Sequence, residues 1–123
     1  MRRSGWIAAG FAAVMAVAVA APAWAGYGAF ALDEASGKYG FSWNEETAHG
    51  AETAALKGCG TDNCKVVFRV APKLCGAIAM TENGKVWGGA TRPERAEAEL
   101  AAMQNCQKRT GGQCKIRGAE CNR

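Results

Sequence analysis

Six cysteines, a single histidine, a few adjacent carboxylates and four tryptophans are the residues of this chain whose types could do chemistry. Nucleophilic catalysis needs a base beside the nucleophile. His49 is the one imidazole, and no Gly-x-Ser-x-Gly elbow accompanies it. A thiol–imidazole site built on His49 would need a free cysteine, and an even set leaves none over once paired. The carboxylate pairs Asp33-Glu34 and Glu45-Glu46 suit a loop and a first helical turn better than a glycosidase or calcium site, because adjacent side chains diverge and no EF-hand loop surrounds them. Neither of the glycine-rich phosphate-binding fingerprints follows a strand. We therefore expect no catalytic residue, no cofactor and no metal.

Zinc is the competing use for the cysteines. The spacings Cys59-x4-Cys64, Cys106-x7-Cys114 and Cys114-x6-Cys121 contain no Cys-x2-Cys knuckle, and His49 is not near a cysteine pair in sequence; disulfides fit better. Compartment agrees. Arg2 and Arg3 precede an apolar run from Trp6 to Ala21, Pro22 breaks it, and Ala23-Trp24-Ala25 is a small-x-small cleavage pattern. Residues 1–25 therefore read as a signal peptide cleaved after Ala25. An uncleaved anchor would be near the short limit for a membrane span, and Ser4-Gly5-Trp6 does not continue the arginine pair as twin-arginine export would require. An exported protein keeps its disulfides, and the expected location is secreted or periplasmic, with no membrane span after cleavage.

The mature part, residues 26–123, is long enough for a single domain with a modest core. Without Arg2 and Arg3 the formal charge falls from +4 to +2, a balance that does not point to nucleic acid. Residues 26–73 are slightly acidic and residues 74–123 slightly basic, which reads as solvated surface.

The elements that must hold these residues come as one unit written twice. Asn44 to Cys59 returns without a gap as Thr91 to Cys106, and Tyr27-Gly28-Ala29-Phe30-Ala31-Leu32 returns as Cys75-Gly76-Ala77-Ile78-Ala79-Met80. Ser36-Gly37 and Asn83-Gly84 supply hairpin turns, with one residue lost in the connecting loop. Lys38 to Trp43 and Lys85 to Ala90 then read as return strands, aligned end to end, and the Gly88-Gly89 pair suits a bulge or the close approach of another backbone. Asn44 and Thr91 are placed to cap helices, with a capping box at Thr91-Arg92-Pro93-Glu94. Ala96, Leu100 and Met103 fall at helical spacing and align with His49, Thr53 and Leu56, which marks the faces expected to meet a sheet. Third strands start at Cys64 and Cys114. The fold class is α+β: two tandem pseudo-symmetric ββαβ units, residues 26–73 and 74–123, forming one small disulfide-stapled domain. The repeat pairs Cys59 with Cys64 and Cys106 with Cys114 as equivalent links, which leaves Cys75 with Cys121.

The Gly-Ala-Ile-Ala strand, the Gly-Trp-rich hairpin, the helix opening Thr-Arg-x-Glu-x-Ala and closing in Cys, and the Cys-Lys-Ile strand, all duplicated, resemble the secreted bacterial family catalogued as domain of unknown function 4189. The likeness runs from about Tyr27 to Cys121. It implies a tandem α+β fold with disulfides in an extracytoplasmic setting, and it brings no catalytic or binding residues with it. The first helix departs from the pattern at His49-Gly50-Ala51-Glu52-Thr53, where Gly50 costs roughly 1 kcal/mol relative to Ala.

Function is then expected from contact. The reading is a secreted or periplasmic non-enzymatic protein that binds another macromolecule as an inhibitor, envelope component or effector, with an unknown protein or glycan partner and an unspecified oligomeric state. The alternative is a carbohydrate or peptidoglycan binding module using Trp43 and Trp87, which with Tyr39 and Phe41 lie in the two return strands. An unrecognised hydrolase comes third. Core packing between the two units is the stronger competing role for Trp43 and Trp87.

Overall fold

The structure, a computed structural model, describes residues 26–123; the expected leader, residues 1–25, and its cleavage lie outside the described residues. The elements follow the order β1 (Tyr27–Leu32), β2 (Tyr39–Glu45), α1 (Ala48–Cys59), β3 (Lys65–Val70), β4 (Cys75–Thr81), β5 (Trp87–Arg92), α2 (Arg95–Lys108) and β6 (Cys114–Cys121). This is strand, strand, helix, strand, twice. Each unit forms its own antiparallel sheet, ordered β2-β1-β3 in the first and β5-β4-β6 in the second. No helix of the described residues is long and apolar enough to cross a membrane.

The central strands are buried on both faces, and their alternation says what covers each. In β1, Ala29 and Ala31 pack with Ala51, Ala55 and Cys59 of α1, while Phe30 and Leu32 point the other way and join Val70, Ile78 and Met80. In β4, Ala77 and Ala79 meet Ala98, Ala102 and Cys106 of α2. Small residues thus face the helices and large ones face the opposite sheet, which gives four layers: α1, first sheet, second sheet, α2. Both units share the Phe30–Ile78–Met80 layer, so neither one encloses a core alone.

Helix and sheet meet almost backbone to backbone. A Cβ added at Gly40 would lie 2.3 Å from the Cys59 amide nitrogen, and one at Gly88 would lie 2.2 Å from that of Cys106. This close seam overturns the expected helix faces. Leu100 is 62% exposed and Leu56 37%, Ala96, His49 and Thr53 are exposed too, and only Met103 of the expected set packs against the helix-side cluster. The buried stripes are Ala51-Ala55-Cys59 and Ala98-Ala102-Cys106, because no larger side chain fits between layers this close.

The strand alignment also changes. Ala31 pairs with Gly40 and Ala79 with Gly88, so the two glycines are equivalent and Tyr39 matches Trp87 instead of Val86. The additional residue of the first unit sits in β2, where three residues from Ser42 to Glu45 span what two span in β1; Asn44 takes it up with a φ of 56°. A second irregularity falls at the same point of both units, between Phe30 and Ala31 and between Ile78 and Ala79. The Gly88-Gly89 stretch pairs in unbroken register with β4, so it admits a close backbone and does not bulge. Gly37 and Gly84 do take positive φ, at 80° and 74°.

The caps differ as well. Thr47, not Asn44, caps α1 by accepting a hydrogen bond from the Gly50 amide at 2.9 Å. Glu94 occupies the cap position of α2 without a side-chain bond, and Thr91 belongs to β5. Pro93 holds Arg92 extended, which prolongs the strand and postpones the helix. Glu45 accordingly ends β2 and Glu46 precedes the cap, so neither lies in the first turn of α1.

Disulfides join Cys59 to Cys64, Cys106 to Cys114 and Cys75 to Cys121, and no described cysteine is free. The first two tie a helix end to the next strand; the third crosses from β4 to β6. A polar clasp adds a further tie. Buried Asn122 accepts from the Asn44 amide at 2.9 Å and donates to the carbonyls of Val70 and Ala71 at 3.0 and 3.2 Å, fastening the chain end to the first unit.

Replacing Gly88 with Ala forces the helix off the sheet and should cost about 3 kcal/mol in urea unfolding, whereas Gly111→Ala, where an added Cβ meets nothing within 4 Å, should stay within about 0.5 kcal/mol. Asn122→Ala leaves buried amide and carbonyl groups unpaired, and the same measurement should show a loss of about 2 kcal/mol.

Candidate functional site: an aromatic seam with one crevice and one open end

Between the sheets runs a chain of rings. Tyr39 stacks on Phe41 with centroids 6.4 Å apart, Phe41 lies 6.0 Å from Trp43, and Trp43 meets Phe30 edge-on at 5.2 Å. Phe30 stacks on Phe68 at 4.5 Å, and Phe68 on Trp87 at 6.0 Å with planes 7° apart. The rings of the first unit rest on glycines of the second. A Cβ at Gly89 would lie 2.4 Å from the Phe68 ring, and one at Gly118 would lie 3.0 Å from Phe41.

Trp43 and Trp87 are therefore half-buried members of the inter-sheet layer, separated by Phe30 and Phe68, and they do not form a common platform. Trp43 is oriented inward, with its indole Nε1 buried and without a hydrogen-bond partner. Trp87 has Phe68 on one face and the Arg109 guanidinium 5.0 Å from its ring centre. The most exposed aromatics among the described residues are Tyr39 and Phe41, at 37% and 39%. Alternation along β2 put them on the Trp43 face, but that they alone overhang the end of the seam depends on how the second sheet is placed.

At the Trp87 end lies a crevice of about 290 Å³, lined by Phe68, Arg69, Trp87, Thr91, Asn105 and Arg109 among others. Its polar side chains are held: Arg109 donates to the Trp87 carbonyl at 3.0 Å, Asn105 to the Gly89 carbonyl at 2.9 Å, and Arg69 pairs with Glu52. Each guanidinium keeps N–H groups beyond these bonds, so the crevice offers an aromatic wall beside fixed positive charge. The sequence marked Trp87 but neither arginine, since Arg69 and Arg109 meet it only across elements distant in the chain.

Two larger clefts occupy matching places, each between a hairpin turn and a disulfide-bridged loop. One, about 530 Å³, is lined by Asp33, Glu34, Asp62, Asn63 and Lys65 among others; its counterpart of about 470 Å³ is lined by Thr81, Glu82 and Gln113. Asp33 is a structural latch. It is 3% exposed, and its carboxylate accepts from the hydroxyls of Thr61 and Ser36, both at 2.8 Å, and from the Ala35 amide at 2.9 Å. Thr61 first and Ser36 next hold its carboxyl below the ordinary aspartate range, against the opposing effect of burial. His49 lies exposed at the start of α1, and no group of three or more metal-binding side chains gathers among the described residues.

Because the Asp33 pKa is lowered in the folded state, its stabilisation is complete above the unfolded value and is lost as pH falls through the folded one. Asp33→Asn should lower the melting temperature at pH 7, and the gap from the native protein should close as pH drops below about 4. Thermal melts across that range check both.

A family model described as Domain of unknown function (DUF4189) matches residues 27–121. Protein Rv1269c and Protein MT1307 of Mycobacterium tuberculosis and Protein Mb1300c of Mycobacterium bovis are each 36% identical over 86 residues, covering 70% of this chain and 62% of the relative. The match thus spans less than two thirds of the length of these relatives. No solved structure matches the chain.

Proposed function

The chain belongs to the DUF4189 family, and from that premise we propose that it is an extracytoplasmic, non-enzymatic protein that acts by binding another macromolecule, with contact made at the Phe68–Trp87–Arg109 crevice. The observation that carries this reading is the crevice itself. Tryptophan and arginine, the residue types that dominate protein contact energies, meet there at the junction of the two units with their positions already fixed. A side chain entering it finds an aromatic wall and N–H groups suited to a carboxylate, at little ordering cost. Three disulfides and the export signal read from the sequence support the setting. Trp87 lining the crevice also favours the glycan alternative, which requires Arg109 to leave the indole face before a sugar ring can stack.

Immobilised oxidised protein should retain a partner from its own cell envelope or surroundings. Retention should fall at least tenfold for the double variant Arg69→Gln/Arg109→Gln, about 1.4 kcal/mol or more, with the circular dichroism spectrum unchanged. Equal retention by the double variant overturns the crevice as the contact, and release by soluble peptidoglycan fragments identifies the glycan alternative.

A further inference from the structure

Of the four outer strands, β2 and β5 are equivalent in the repeat, yet only β5 has its outward carbonyls bonded by side chains. Antiparallel pairs exchange hydrogen bonds at every second residue. Asp33 N–H donates to the Lys38 carbonyl at 2.8 Å and Thr81 N–H to the Val86 carbonyl at 3.0 Å. The bonded pairs then step through Ala31–Gly40 and Ala29–Ser42 in one unit and Ala79–Gly88 and Ala77–Ala90 in the other. Tyr39 and Phe41, like Trp87 and Gly89, consequently aim their amides and carbonyls off the sheet edge. In the second unit Arg109 and Asn105 occupy the Trp87 and Gly89 carbonyls. In the first, the position of Asn105 is taken by Gly58, one residue before Cys59 as Asn105 is one before Cys106, and α1 ends at Cys59 whereas α2 runs on to Lys108. Among the described residues no side chain bonds the Tyr39 or Phe41 carbonyl.

We infer that the β2 edge pairs with the β2 edge of a second copy of this chain, antiparallel about a two-fold axis through Phe41. In that register Tyr39, Phe41 and Trp43 of one copy oppose Trp43, Phe41 and Tyr39 of the other, so outward groups meet outward groups. Charge is complementary at the ends of the pair: Lys38 opposes Asn44 of the other copy, next to Glu45. The aromatic pair left exposed, Tyr39 and Phe41, is covered by the same contact. A side chain is tolerated at Gly58, where an added Cβ would make ordinary contact with the Gly40 Cα at 3.7 Å, so no steric bar explains why this edge lacks the asparagine of its counterpart. The bulge at Asn44, whose amide is already bonded to Asn122, ends the pairing after Trp43. Such an interface uses the same edge in both copies and closes at a dimer.

Sedimentation velocity on the oxidised mature protein at about 10–500 µM, a range that reads dissociation constants of ordinary dimers, tests this. The native protein should sediment as a dimer, with the Tyr39 and Phe41 amides protected from hydrogen exchange. Gly58→Asn restores the seal seen in the second unit without altering Tyr39 or Phe41, and Phe41→Lys places a charge on the edge; each should weaken dimerisation at least tenfold. A native protein monomeric throughout that range overturns the inference, as does a dimer that both variants leave intact while they remain folded.

Discussion

Each helix lies so close to its sheet that the buried seam between them is filled mainly by glycine, alanine and cysteine, and the rest of the structure depends on that closeness. Gly40 and Gly88 sit directly beneath the backbone of α1 and α2, and the alanines of β1 and β4 face the alanines of the helices. With the buried helix faces filled by small residues, the large fully buried apolar side chains, Phe30, Leu32, Val70, Ile78 and Met80, all belong to the layer between the sheets. Hydrophobic stabilisation scales with apolar area removed from water, so that central layer supplies most of it, and it exists only when the two units are face to face. The disulfides act on the helix side of each sheet, tying each helix to the next strand and β4 to β6.

The duplication is not symmetrical in its chemistry. The first unit supplies every ring of the seam but Trp87, namely Phe30, Tyr39, Phe41, Trp43 and Phe68, while the second supplies Gly76, Gly89 and Gly118 as the sockets into which first-unit side chains settle. Complementary divergence of this kind ties the halves to one another, because a ring without its socket clashes and a socket without its ring leaves a void. The same divergence separates the ends of the seam. One end is closed over by Arg109 and Asn105 and becomes a charged aromatic crevice; the other has Gly58 in place of Asn105 and leaves two rings and a strand edge facing solvent. Equivalent ends of the two units thus carry unlike surfaces.

Much was legible in the residues alone. Duplication, the ββαβ order, the turn glycines and the family likeness all follow from local spacing and from comparing one half of the chain with the other, and they needed no knowledge of how the halves meet. The misplaced readings share another origin. Helical spacing alone marks the faces of Leu100 and Leu56; the narrow gap between helix and sheet selects the stripes of alanine and cysteine instead. Asn44 and Thr91 are suitable caps by type, but β2 and β5 run on through them, one around a bulge and the other up to Pro93.

By itself, then, the order of residues determined the elements, their repetition and the partners its cysteines would find, since these rest on interactions between near neighbours or between equivalent positions. Tertiary structure alone decided which faces were buried, that Trp43 and Trp87 belong to the seam while Tyr39 and Phe41 emerge from it, and that one outer strand is sealed and its twin is not. Those outcomes turn on the distance between layers and on contacts between residues tens of positions apart, quantities that periodicity and composition do not contain.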